Sequence, residues 1–164
     1  MKKLDVLFLI FFLSVFMACK ETDVQEISTK HQNSDSSVFD SLLAQKYGAD
    51  DYGMRKYVMA FLKRGPNRER STEESKKLQA AHIENIGRMA EEGKLVLAGP
   101  FFEDGELRGI YIFNVNSIEE AEALTNTDPA IQAGSLIMEL KEWYGSAGLM
   151  GVNDLHKKLA KKEM

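Results

Sequence analysis

Cysteine is nearly missing: Cys19 is the only one in 164 residues. No internal disulfide can form, so the core must hold without covalent staples. Histidine is scarce too, with 3 in all. His31, His82 and His156 lie in three separate segments, and no spacing among them fits a zinc, calcium or flavin site. A site without metal or cofactor is the expectation. Positive charge is not in excess, since 21 Lys and Arg stand against 25 Asp and Glu for a net charge of -4. That balance argues against nucleic-acid binding, where basic patches carry the affinity. The cluster Lys157, Lys158, Lys161 and Lys162 is confined to the last turns and reads as the solvated face of a terminal helix. No apolar run reaches the roughly 20 residues that a membrane-crossing helix needs.

What is present begins with "MKKLDVLFLIFFLSVFMAC". Lys2 and Lys3 precede an apolar run from Val6 to Met17, then Ala18 and Cys19, which is the build of an export signal. A lone cysteine after an apolar run and a small residue resembles the lipobox of bacterial lipoproteins, from which this stretch departs at Phe16 and Met17. The resemblance implies cleavage after residue 18 and acylation of Cys19. The protein would then be exported and held to a bacterial membrane by lipid, facing the periplasm or at the cell surface. Each buried acyl methylene contributes roughly 0.8 kcal/mol, so several chains on one cysteine anchor a protein without a spanning helix. Without residues 1–18, which carry Lys2, Lys3 and Asp5, the chain is one unit more acidic.

Residues 19–37 are polar, with almost nothing to bury, and read as a flexible tether that includes His31. Residues 38–53 predict a short helix over Phe39, Leu42 and Leu43, closed by Gly48. The span 54–148 is the folded body, and 149–164 predict a C-terminal helix from about Val152. Within the body, "RKYVMAFLKRG" is a first strand ending at Gly65-Pro66. Ser71 and Glu74 form a capping-box pattern for a helix that runs to about Glu92 and stops at Gly93. "KLVLAGPFF" and "RGIYIFNV" are two strands joined by the turn "EDGE". Asn116 or Ser117 caps a second helix, "DPAIQAG" interrupts it, and "SLIMELKEWYG" is the fourth strand. The order strand, helix, strand, strand, helix, strand predicts an α+β, ferredoxin-like βαββαβ domain with both helices on one face of an antiparallel sheet.

The opposite face of that sheet is too apolar to be wet. Ile110 and Ile112 alternate with Tyr111, Phe113 and Val115. The preceding strand reads as apolar on both sides, Leu95, Leu97 and Phe101 against Val96, Ala98 and Phe102. A second layer is required. A homodimer formed by sheet packing on sheet is expected, with the short terminal helices as the competing cover.

His82 has Leu78, Ile86 and Met89 at helical spacing, so its ring lies on or beside the face turned to the sheet. Burial demands partners for its nitrogens. Either a backbone carbonyl holds it in the core, or a carboxylate holds it as an acid or base. Asp128 is the carboxylate that stands apart from the solvated ones, because Pro129 restricts it to extended conformations; the same Asp-Pro is also a turn former. Gly99, Pro100 and Gly109 flank the hairpin on adjacent strands and mark either a close approach of substrate or plain hairpin geometry. Arg108 can bind a substrate carboxylate or stand exposed at a turn. Trp143 and Tyr144 read as core or interface aromatics.

The segments "AAHIENIGRMAEEGKLVLAGPF", "GELRGIYIFNV", "SIEEAEAL" and "DPAIQAG", followed by Trp143, resemble the YCII-related (YciI-like) family from Arg55 to about Gly148. The resemblance implies a dimeric α+β barrel of ferredoxin-like units and an active site centred on a His and Asp pair, here His82 and Asp128. The wider family includes a dehydrochlorinase of chlorinated hydroxyquinols, and related barrels include muconolactone isomerases. Proton transfer, isomerisation or elimination on a small molecule, without cofactor, is therefore the first functional expectation. A lipid-anchored, non-catalytic binding or interaction module is the second, and a pair that only stabilises the core is the third.

Overall fold

The computed structural model describes residues 39–162. The segments 1–18 and 19–37, with Cys19 and His31, lie outside the described residues.

Eleven residues, Met54–Arg64, form the long first strand, β1. Its alternation sends Val58, Ala60 and Leu62 to one side and Tyr57 and Met59 to the other. Gly65 ends it where no other residue fits, since a Cβ there would lie 2.2 Å from the carbonyl oxygen of Gly134. The long helix α2 (Thr72–Glu91) then starts at Ser71, with the reciprocal Ser71–Glu74 capping box in place. Gly93, at φ 68, turns the chain out of it. Strands β2 (Leu95–Pro100) and β3 (Leu107–Phe113) follow as a hairpin. Ser117 caps α3 (Ile118–Thr125) by accepting from the Glu120 N–H, and Asp128 caps a single turn, α4 (Pro129–Gln132). The last strand, β4 (Leu136–Ser146), completes an antiparallel sheet in the order β2-β3-β1-β4. With α2 and α3 on one face, this is the ferredoxin-like α+β arrangement.

The main core lies between that face and the helices. Val58, Ala60, Leu62, Tyr111 and Phe113 from the central strands pack with Met89 of α2 and Ala121 of α3. Burial of aromatic and aliphatic side chains of this kind contributes roughly 1.5–3 kcal/mol each.

The short N-terminal helix α1 (Ser41–Tyr47) ends at Gly48 with φ 64. It leaves Phe39, Leu42 and Leu43 exposed rather than packed on the sheet. The second sheet face is covered in part by the C-terminal segment. After β4, a 3-10 turn (Ala147–Gly151) and helix α5 (Val152–Leu159) bring Leu149 and Met150 against Tyr57, Val96, Ile112 and Trp143. The Asn153 amide fastens this cover by donating to the Leu95 carbonyl at 2.9 Å. Beyond it the face stays open as a groove of 260 Å³ lined by Phe61, Leu107 and the charged side chains Lys63, Glu106, Glu139 and Lys141. Hydrogen bonds from Lys141 and then Lys63 hold the Glu139 carboxyl down at about 2.

One detail of β2 corrects the simple alternation. Leu95 pairs with Phe113 while Leu97 pairs with Ile112, so the register slips by one residue between them. This bulge sends Leu95 to the helix side and both Val96 and Leu97 to the other. The strand also stops at Pro100. Phe101 and Phe102 are exposed loop residues, not members of either face.

Candidate functional site

Helix α2 delivers His82 to the interior on the same face as Asn85 and Met89, and only 8% of the residue is exposed. Both ring nitrogens have partners. Nδ1 lies 2.8 Å from one carboxylate oxygen of Asp128 and 3.0 Å from the other. Nε2 lies 3.4 Å from the Tyr111 hydroxyl, and the two rings are tilted by only 21°. Of the two partners open to His82 from its sequence, the carboxylate is the one found.

Asp128 reaches this position through local backbone chemistry. Pro129 follows it at the first position of α4, and Asp128 is accordingly extended, at φ -78 and ψ 119. Its Oδ1 accepts from the Ala130 N–H at 2.8 Å. Helix α4 packs on α2, which sets the carboxylate, itself wholly buried, against the imidazole.

The tautomer follows from this geometry. An ionised carboxylate can only accept, so the Nδ1 beside it carries the proton and Nε2 keeps its lone pair. The Tyr111 hydroxyl is then the donor to Nε2. Burial, and after it the negative charge of Asp128, push the Tyr111 hydroxyl well above its ordinary range, so it stays protonated. Next to the pair, Asn85 accepts through Oδ1 from Arg88 and Thr127, at 2.8 Å and 3.1 Å. Its buried Nδ2 has no partner among the described residues.

An open cleft of 260 Å³ adjoins the pair. Leu78, one turn before His82, and Ala130, which donates to Asp128, both line it. His82 and Asp128 themselves are not among its lining residues. Arg108 is, together with Arg68 and Arg70 from the loop before α2. Gly99, Pro100 and Gly109 are not. A Cβ on Gly109 would lie 2.6 Å from the Gly99 carbonyl oxygen, so hairpin packing accounts for that glycine. Pro100 pairs with Gly109 at the end of an edge strand, where its missing N–H costs nothing. Trp143 packs on Tyr57 with ring centroids 5.8 Å apart, on the far sheet face, and Tyr144 hydrogen-bonds Asp50. Among the described residues, no group of three or more His, Cys, Asp or Glu is placed to hold a metal ion.

Tyr111, Arg68 and Arg70 are absent from the set of residues that sequence alone picks out. In the sequence Tyr111 is one of the alternating apolar residues of β3, with neither side of the strand marked as the interior. The available signal was chemical: a buried phenol needs a partner for its hydroxyl, and a helix-borne histidine on the same side is one.

With this geometry in view, comparisons with known proteins place the chain. The model of the YCII-related domain matches residues 57–144. YjpA, an uncharacterized protein of Bacillus subtilis (strain 168), is 34% identical over 64 residues, covering 39% of this chain and 73% of that protein. The chain belongs to the YCII-related domain family. Among solved structures, 5-chloro-2-hydroxyhydroquinone dehydrochlorinase from Burkholderia phenoliruptrix AC1100, in complex with 2,5-dihydroxybenzoquinone, is matched over 52% of this chain and 92% of that one, at 18% identity and a TM-score of 0.41.

Proposed function

We propose that this YCII-related protein is a small-molecule enzyme of isomerase or lyase type that works without a cofactor, with His82 as the proton-transferring base and Asp128 as the group that fixes its tautomer. The observation that carries this reading is the 2.8 Å contact between Nδ1 of His82 and the fully buried carboxylate of Asp128. With Nδ1–H directed at the carboxylate, Nε2 is the atom that takes a proton from the substrate. Asp128 stabilises the imidazolium so formed. The Tyr111 hydroxyl, 3.4 Å from Nε2, gives up that contact and donates to the oxygen on which substrate charge develops. Returning the proton to a different atom completes an isomerisation. In an elimination, the C–H electron pair becomes the new double bond and the leaving group departs with its bonding pair.

The site is proposed to work in an exported protein held by lipid on Cys19 to a bacterial membrane, facing the periplasm or at the cell surface, and in a homodimer joined through the open half of the outer sheet face. Arg108 is proposed to contact substrate, with Gly99, Pro100 and Gly109 shaping the hairpin that carries it.

A second reading, a non-catalytic binding module on the same anchor, is favoured by one observation: the cleft lining does not include His82 or Asp128. The two are separated by screening wild type, His82→Ala and Asp128→Asn against hydroxyquinols and unsaturated lactones, following both turnover and thermal shift. Turnover that vanishes in both folded variants supports the enzyme. Ligand-induced stabilisation that survives in both, with no turnover in wild type, supports the binding module. Loss of several kcal/mol of stability with no ligand found would reduce the pair to a core element.

A further inference from the structure

The cleft beside the pair has a charge that the rest of the chain does not. Arg68, Arg70 and Arg108 line it, no Asp or Glu does, and the whole chain is net negative at -4. Of the two acidic residues in the first turn of α2, Glu74 holds the Ser71 cap and Glu73 pairs with Lys77. Among the described residues neither Arg68 nor Arg70 forms an ion pair. Arg70 is nevertheless held in place, because its guanidinium donates to the Asn67 carbonyl at 2.6 Å and to the Ala133 carbonyl. Those acceptors are neutral and orient the fork, while the Glu74 carboxyl, whose pKa the Ser71 hydrogen bonds and then the Arg70 charge lower, offsets part of that charge from a distance. Arg108 forms an ion pair with the exposed Asp104 through one nitrogen at 3.0 Å, and the same nitrogen donates to the Glu103 carbonyl at 3.2 Å. Its other two nitrogens have no hydrogen-bond partner among the described residues.

We propose that this cleft is an oxyanion site for a small molecule bearing a carboxylate or a phosphate. The proposal deepens the enzyme reading above and rests on it for one point alone, that the bound anion's other end lies against Leu78 and Ala130, on the side of the His82–Asp128 pair. The guanidinium forks of Arg68 and Arg108 bind the two anion oxygens, and Ser75 and Gln79, one turn apart on α2, offer neutral donors. Leu78 and Ala130 supply an apolar wall on the side of the His82–Asp128 pair. At 260 Å³ the cleft lies below the roughly 300–1,000 Å³ typical of drug-sized ligands, which fits a single ring or a short chain.

Calorimetric titration of the full chain with benzoate, phenyl phosphate and benzamide tests this directly. The first two carry the anion, and the third is a neutral molecule of similar shape. The expected result is binding of at least one anion with benzamide about tenfold or more weaker, and an affinity that falls as salt is raised. The tighter of the two anions names the group. The Arg68→Gln/Arg108→Gln double variant should lose about tenfold or more, whereas His82→Ala should keep the anion. If the double variant does not fold, the salt dependence and the benzamide comparison on wild type decide. Benzamide binding as tightly as the anions, or neither anion binding at millimolar concentration, overturns the proposal. Anion binding with no His82-dependent turnover leaves this site standing and removes the enzyme. Turnover of a neutral compound that requires His82, with no anion bound, does the reverse.

Discussion

Asp128 and His82 are 46 residues apart in the chain and 2.8 Å apart in the fold. Neither has room to be satisfied by bulk water, since Asp128 is wholly buried and His82 nearly so. The carboxylate serves two donors at once, the imidazole Nδ1–H and the Ala130 N–H. That double duty separates a structural role from a chemical one.

Asp128→Asn keeps an oxygen for the Ala130 N–H but turns an N–H toward Nδ1. The histidine must then present a lone pair there and carry its proton on Nε2, the wrong tautomer for a base. Stability should fall by only about 1 kcal/mol while turnover falls by orders of magnitude. Asp128→Ala removes both acceptors and should cost about 2–4 kcal/mol. Urea unfolding beside steady-state kinetics checks the split. Equal loss of stability and activity in the Asn variant would point to a purely structural pair.

Tyr111 contributes to the alkaline limit. Burial and the charge of Asp128 raise its pKa above the ordinary 10.0, so the folded chain keeps a proton that the unfolded chain has already lost. The unfolded state then binds fewer protons, and stability contributed by Tyr111 is intact below pH 10 and declines as pH rises beyond it. Tyr111→Phe should flatten that decline, at a cost near neutral pH of about 1 kcal/mol for the missing hydroxyl. Unfolding midpoints measured on both sides of pH 10 read the difference. Identical slopes for the two proteins would mean that the phenol ionises freely in the folded state.

Gly99 and Gly109 face each other's strands yet differ in the space around them. A methyl on Gly109 meets the Gly99 oxygen at 2.6 Å and the Pro100 Cα at 3.2 Å, whereas one on Gly99 meets nothing within 4 Å. Gly109→Ala should therefore destabilise the hairpin by about 1–3 kcal/mol, and Gly99→Ala by less than about 0.5 kcal/mol. Weaker ligand binding in a fully stable Gly99→Ala would place the substrate against that strand. Unchanged binding would leave Gly99 as hairpin geometry.

The open half of the outer sheet face gives a test of assembly. Ile137 is 48% exposed there and pairs across β1 with Lys63 beside the Phe61 groove. A dimer joined through this face should be broken by Ile137→Asp, which sets an unpaired carboxylate into the contact. Sedimentation at micromolar concentration should find a wild-type dimer and a variant monomer. A wild-type monomer removes the dimer.

Much of this molecule was legible in its residues, for reasons that differ by element. The capping box at Ser71 and Glu74, the stop at Gly93 and the alternation of β3 are local signals, and the structure follows them. The β2 bulge was not legible, because Leu95, Val96 and Leu97 are all apolar and any register buries some of them. Phe101 and Phe102 misled for the same reason, apolar residues being read as strand when Pro100 had already ended it. The partial cover by Leu149 and Met150 depends on a turn at the end of β4 that no periodicity announces. The arginines of the cleft come from a loop and a strand start, so only the fold brings them together.

Nitrogen-detected NMR of histidine-labelled protein, with His82→Ala to assign the signal, measures the central claim at its source. The account predicts that the neutral His82 ring carries its proton on Nδ1, with a bare Nε2 whose resonance moves when benzoate or phenyl phosphate fills the cleft. A proton found on Nε2 with Nδ1 bare, or a resonance that stays fixed while the cleft is saturated, would contradict it.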